Sequence, residues 1–289
     1  MSHLLKTTVA LFLLLFAFAS QAASPVWRIS KGGHHLYIGG TIHLLSKSDY
    51  PLPKSFNHAY QDAHVLVFET DMAAMQSFSF LMKMNQVMTF SNGQTLKSSL
   101  KAHTYNKLQQ YFKHREMPAE AYALYTPVGI TMLISFFELQ RIGLTPEFGV
   151  DHHFATLAKK DGKPLGELET PDEHLSYIAN MAAGKEDELI LKTLEELEQT
   201  ESIMQELKAA WKIGNHKKLN TLAIKEMKTL YPKIYASLLV ERNNNWMPKI
   251  ENMMKNKEVE LVLVGALHLV GSEGLIQQLK QNGYKVENL

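Results

Sequence analysis

The stretch Leu261-Val262-Leu263-Val264-Gly265-Ala266-Leu267-His268-Leu269-Val270-Gly271 constrains the rest of the chain more than any other. Its first four residues are apolar and partly β-branched, follow the charged pair Lys257-Glu258, and end on a glycine. A half-exposed strand would alternate apolar with polar residues, so this pattern predicts a strand covered on both faces, in the middle of a sheet. Gly265 lets the chain leave the strand tightly, and three residues later His268 stands at the strand's carboxyl end. In open α/β sheets, ligands gather along that edge.

A second copy of the arrangement lies near the other end of the chain, in Leu36-Tyr37-Ile38-Gly39-Gly40-Thr41-Ile42-His43. The two Gly-x-x-His turns are separated by more than two hundred residues, so the chain has to close on itself to bring them together. A single histidine of this kind reads as a helix-start or core residue satisfied by backbone carbonyls. Two, each after an apolar strand, point to a shared site.

The first residues do not belong to this fold. Lys6, the almost unbroken apolar run Val9 to Ala19 and the small-x-small pattern Ser20-Gln21-Ala22 read as a secretory signal peptide over residues 1–22. The run is shorter than the roughly 20 residues that span a bilayer. No later run is long enough either, so no membrane span is expected after cleavage. The mature chain is expected in the periplasm, or secreted beyond it. It has no cysteine, which excludes a lipid-attachment cysteine, a disulfide framework and thiolate catalysis. Lys+Arg of 30 against Asp+Glu of 29, with no basic tract, argues against a nucleic-acid partner.

Residues 23–289 carry no low-complexity linker and are expected to form one domain. Val26 to Ile38, turning at Gly32-Gly33, reads as a hairpin, and Lys54 to Asp62 as a short helix. His64 to Glu69 is a buried strand ending on a carboxylate. Apolar spacings of three and four from about 72 to 143 predict a helical insertion of three or four helices. Its methionines at 72, 75, 82, 84 and 88 read as gap-filling residues or the lining of an adaptable groove, ahead of copper ligands. Gly149-Val150-Asp151 opens a further helix, with Asp151 read as a capping or first-turn acid. Lys163 to Glu169 is a strand ending on a second acid, and a helix starts near Pro171. Lys185 to Trp211 reads as one long amphipathic helix, and Arg242 lies on a helix running to about Lys255. Tyr284 to Val286 closes the chain as a strand. The expected fold is α/β, with a small mixed or mostly parallel central sheet surrounded by many helices.

These segments, in this order, resemble a known family. Trp27-Arg28-Ile29, Gly40-Thr41-Ile42-His43, Val67-Phe68-Glu69, Gly149-Val150-Asp151, Leu168-Glu169-Thr170, Glu241-Arg242-Asn243 with Trp246, and Gly265-Ala266-Leu267-His268-Leu269-Val270-Gly271 are similar to the TraB/PrgY/GumN family, relatives of the Tiki proteases. The resemblance implies an α/β fold of the Tiki and erythromycin-esterase kind, in which both Gly-x-x-His turns and a strand-end glutamate face one cleft. It carries the motif histidines onto His43 and His268, the glutamate onto Glu69, and the remaining polar positions onto Glu169, Arg242 and Asn243. It also implies a divalent metal ion, manganese- or cobalt-like ahead of zinc or iron. PrgY-type members are associated with restraint of peptide pheromones, and GumN-type members with polysaccharide gene clusters.

The expected chemistry is metal-assisted hydrolysis of a peptide bond. His43, His268 and Glu69 would hold the ion, Glu69 would also take the proton of water, and Arg242 would stabilise the oxyanion, with Glu169 and Asn243 beside them. There is no Gly-x-Ser-x-Gly elbow and no His-Glu-x-x-His helix, which disfavours serine and ordinary zincin mechanisms. The alternatives are a metal-free acid–base hydrolase, a periplasmic protein that binds or sequesters peptides without turnover, and an accessory factor in polysaccharide or envelope assembly.

Overall fold

A computed structural model describes residues 24–181 and 184–289; the expected signal peptide lies outside them. β1 (Val26–Lys31) and β2 (His34–Thr41) form the expected hairpin. Its turn residues Gly32 and Gly33 have φ of 59° and 88°, which a primed two-residue turn requires and a side chain resists. α1 (Lys54–Asp62) and β3 (Val65–Phe68) follow, then the helical insertion with α2 (Phe78–Met88), α3 (Ala102–His114) and α4 (Pro127–Arg141). Beyond it come α5 (Val150–Asp161), β4 (Leu165–Glu167), α6 (Pro171–Ala179), α7 (Glu186–Leu197) and α8 (Thr200–Lys212). Short helical turns between 216 and 240 lead into α9 (Glu241–Met253), β5 (Glu260–Gly265), α10 (Leu275–Gln281) and β6 (Lys285–Asn288).

The strands make one mixed six-stranded sheet in the order β4-β3-β5-β2-β1-β6. β4, β3, β5 and β2 are parallel; β1 is antiparallel to both β2 and β6. β5 lies inside the sheet, as its unbroken apolar sequence requires. Leu261 and Leu263 face one layer, with Phe56 of α1, Phe154 of α5 and Trp211 of α8. Val262 and Val264 face the other, with Trp246 and Ile250 of α9 and Leu275 of α10. All four β5 side chains are fully buried, and each such aliphatic burial contributes about 1.5–3 kcal/mol. At Gly39 α1 approaches the sheet closely: a Cβ there would stand 2.8 Å from the Phe56 ring.

The stretch 185–211 departs from the single helix expected of it. α7 ends at Leu197, Gln199 leaves helical geometry with ψ of 8°, and α8 begins at Thr200. The cause is that the two halves serve different cores. Ile190 and Leu197 close a third apolar cluster with Leu108, Phe112, Ile130 and Ile134 of the insertion, whereas Ala210 and Trp211 pack on the sheet. One straight rod cannot present its apolar stripe to both. No helix among the described residues is long and apolar enough to cross a membrane.

Candidate functional site

The parallel register sets the site. Thr41 stands opposite Gly265, Phe68 opposite Leu263 and Glu167 opposite Phe68, so four neighbouring strands end along one edge. Glu69 and Glu169 come just after β3 and β4, where the Glu169 N–H still donates to the Glu69 carbonyl at 2.9 Å. His268 lies in the tight turn Ala266–Leu269 after β5, and His43 two residues past β2. Thr170 then caps α6, accepting from the Glu173 N–H with Pro171 in the first turn, and this turns His174 back over Glu169.

Arg242 joins these groups from the opposite layer. Its Nη2 donates to Glu69 Oε2 at 2.6 Å and to Glu169 Oε1 at 2.7 Å, and its Nε to Glu169 Oε2 at 3.0 Å. Its Nη1 donates to the Leu238 carbonyl at 3.4 Å and to His268 Nε2 at 3.2 Å. A guanidinium has five N–H groups, and all five are used. Arg242 therefore has none left for a substrate oxyanion, and the role expected of it gives way to positioning. Trp246 stacks against the guanidinium at 4.6 Å and donates its Nε1 hydrogen to Glu169 Oε2 at 3.0 Å. A π-helical turn over Ala236–Val240 precedes Arg242 and presents the Leu238 carbonyl to it.

Asn243 fixes the tautomer of His268. Its amide nitrogen donates to the carbonyls of His268 at 3.1 Å and Glu273 at 3.0 Å, so its oxygen must be the acceptor of the 2.7 Å contact with His268 Nδ1. The ring proton is thus on Nδ1, and the Nε2 lone pair faces Arg242 and Glu69. Burial pushes the His268 imidazole down to about 3, so it is neutral. Burial alone would raise the Glu69 carboxyl. The positive Arg242 and the neighbouring histidines, His43 among them, together with the Gly265 N–H, donating to Oε1 at 2.7 Å, reverse this and hold it well below the usual carboxylate range.

His43 is arranged differently. Its Nδ1 donates to Asp151 Oδ2 at 2.7 Å, and Asp151 Oδ1 accepts from the Thr41 hydroxyl at 3.0 Å. The field of Asp151 lifts the His43 imidazole to about 9, against desolvation. Asp151 does stand in the first turn of α5, one of the two places expected of it, but the cap is Gly149, and the carboxylate turns to the histidine. Gly149 is obligatory for that approach, since a Cβ would stand 2.1 Å from the His43 carbonyl oxygen.

The groups converge above Gly265. A Cβ on this residue would lie 3.3 Å from Glu69 Oε1, 3.5 Å from His43 Nε2 and 3.6 Å from His268 Cδ2. All six sequence-derived site residues, His43, Glu69, Glu169, Arg242, Asn243 and His268, therefore fall in one cluster. Among the described residues, the group of three with metal-type ligand atoms all within 4.8 Å of one another is Glu69, Glu169 and His174. Arg242 Nη2 already bridges that carboxylate pair. The free faces of Glu69 Oε1 and His43 Nε2 look instead into the space over Gly265.

Residues 25–288 match the model of the TraB/PrgY/gumN family. The chain belongs to that family. An uncharacterized protein YbaP of Escherichia coli K12 is 24% identical over 252 residues, covering 86% of this chain and 89% of its own length. The YbaP of Shigella flexneri is similar to the same extent. No solved structure matches. Two members of the cluster in this TraB/PrgY/gumN chain were missed as site residues from sequence. Asp151 was visible in Gly149-Val150-Asp151, but a first-turn acid reads as a helix-end charge until the partner strand is known. His174 had no signal beyond standing one turn after Glu169-Thr170-Pro171.

Proposed function

We propose that this family member is an extracytoplasmic, divalent-cation-dependent hydrolase that cleaves a peptide bond. The observation carrying the proposal is the convergence of Glu69 Oε1, His43 Nε2 and the His268 ring on the space that the missing Gly265 side chain leaves open. The donor chemistry fits a cation there. One carboxylate and two imidazoles suit manganese-, cobalt-, zinc- or iron-like ions, and Asp151 and Asn243 supply the hydrogen bonds that orient metal-binding histidines. Glu69 Oε1 and His43 Nε2 are the atoms that would hold it, and His268 Nε2 would join them on releasing the hydrogen bond it accepts from Arg242 Nη1. The ion would act as a Lewis acid and lower the pKa of a water molecule.

The chain's own groups do the rest. Arg242 keeps Glu69 ionised and turned so that Oε1 faces the cleft, while Glu169 and Trp246 hold the guanidinium in place. Asp151 keeps the His43 proton on Nδ1, so that in the neutral ring the lone pair is on Nε2. The extracytoplasmic address rests on the pattern of residues 1–22.

The metal-free acid–base reading has one observation in its favour: His43, lifted to about 9, is protonated at neutral pH and could serve as a general acid. It ranks second, because a carboxylate held as low as Glu69 is a poor base and a good ligand. Metal content decides between them. The chain beginning at Ala23 is equilibrated with manganese, cobalt, zinc or iron and assayed by elemental mass spectrometry beside His43→Ala and His268→Ala. Near-stoichiometric metal in the wild type, lost in both variants, is expected; a folded wild type that retains none would refute the metal reading.

A further inference from the structure

A groove of about 670 Å³ lies between α4, α7 and α8 and the helical turns at 220–240, outside the cluster just described. Its walls are apolar and soft, with Met204, Leu207, Leu222 and Met227 among them. Unbranched methionines let such a wall repack around different side chains. At one end Leu238 lines the groove, and the Leu238 carbonyl is the one that accepts from Arg242 Nη1. One residue thus belongs both to the groove wall and to the hydrogen-bond shell of Arg242.

Its charges are one-sided. Lys192 Nζ is shared by Glu226 at 2.9 Å, Glu195 at 3.6 Å and Glu196 at 3.8 Å. Three carboxylates against one ammonium leave a formal surplus of two negative charges. The Glu195, Glu196 and Glu226 side chains are 68%, 51% and 46% exposed, so they remain reachable by a partner. Burial, with the fields of Glu226 and Glu195 behind it, raises the Glu196 carboxyl despite Lys192. An added cation would relieve that repulsion.

We infer that this groove binds a basic, amphipathic peptide segment, with apolar side chains on its floor and Lys or Arg side chains at Glu195, Glu196 and Glu226. The apolar floor offers nothing to a purely polar cation, and the acidic rim repels fatty acids and anionic lipid headgroups. The choice of a peptide among apolar cations rests on the peptidase reading above.

The test uses the chain from Ala23 and two end-blocked, fluorescein-labelled peptides of equal length, one alternating leucine with lysine and the other leucine with glutamate. Fluorescence anisotropy at low ionic strength is expected to give the lysine peptide an affinity at least about tenfold higher. The double variant Glu195→Lys/Glu226→Lys is expected to reverse that preference, and Ala223→Trp, which fills the groove, to weaken binding of the lysine peptide. Circular dichroism melts check that each variant folds. Equal affinity for both peptides, or an unchanged preference in the double variant, overturns the inference. His43→Ala separates it from the peptidase reading. Retained lysine-peptide preference with no metal-dependent cleavage by the wild type refutes the peptidase alone, whereas metal-dependent cleavage without charge preference refutes the groove alone.

Discussion

Asp151→Asn isolates what one buried carboxylate does to His43. At the observed Nδ1–Oδ2 separation of 2.7 Å, a full charge pair is worth about 1.5 kcal/mol in bulk water and about 6 kcal/mol at an effective dielectric constant of about 20. The His43 side chain is 54% exposed, and solvent screening moves the interaction toward the lower figure. The His43 titration, near 9 in the wild type, is then expected to fall by about one to two pH units. The substituted carboxamide can still accept from Thr41, but its amide hydrogens face Nδ1 and push the neutral ring proton onto Nε2. That removes the lone pair from the cleft and is expected to weaken metal binding by about 10–100-fold. The linkage has a definite sign. A histidine raised in the folded state adds stability that is fully present below its unfolded value of about 6.5, and this is lost as pH rises through about 9. The wild type should therefore exceed the variant most at mildly acidic pH, with the gap closing above 9. Two-dimensional NMR of the imidazole Cε1–H groups, with metal removed, and urea midpoints across pH provide the measurements. Unchanged His43 titration and metal affinity in the variant would refute the reasoning.

Four further outcomes follow from the same geometry. Gly265→Ala places a methyl in the open space, 3.3–3.6 Å from three side-chain atoms, at an ordinary φ of −50°; metal content and hydrolysis should be lost while the melting temperature stays within a few degrees. Gly149→Ala drives a methyl into the His43 carbonyl oxygen and should cost about 1–3 kcal/mol in urea unfolding, together with metal binding. Trp246→Phe keeps the stack on Arg242 but leaves a buried lone pair of Glu169 without its donor, which should cost about 1–3 kcal/mol and lower metal affinity less than Asp151→Asn does. Because Glu69 is depressed in the folded chain, its contribution to stability holds above its unfolded value, near 4.5, and drains away as pH falls below it; Glu69→Gln should flatten that part of the acid unfolding curve.

Much of the site was legible because its residues sit in short motifs at strand ends. The apolar run 261–264 announced a buried strand, and Gly265 and His268 marked its exit. Glu69 and Glu169 were legible as charges closing apolar strands. What could not be read was partnership across the sheet. Asp151 serves His43 from 108 residues away, and no local periodicity encodes that pairing. Arg242 read as a free oxyanion donor because sequence does not count how many of its N–H groups are already spent. The break at Glu198-Gln199 escaped because helical spacing persists through it, and only the demands of two separate cores divide it.

The sheet order has a consequence for how the molecule comes into being. β2, β3 and β4 all precede the last thirty residues, yet β2 touches neither of the others; β5, synthesised last of the four parallel strands, stands between them. Until it arrives, the β1–β2 hairpin and the β3–β4 pair are separate ribbons with unpaired edges. Closing the sheet then joins segments more than two hundred residues apart, a contact order that makes folding slow and leaves hydrophobic edges exposed meanwhile. A chain cut short before Glu260 would lack both the central strand and His268, so no partial product would carry the assembled cluster. The cluster can be complete only once β5 has taken its place between the two ribbons.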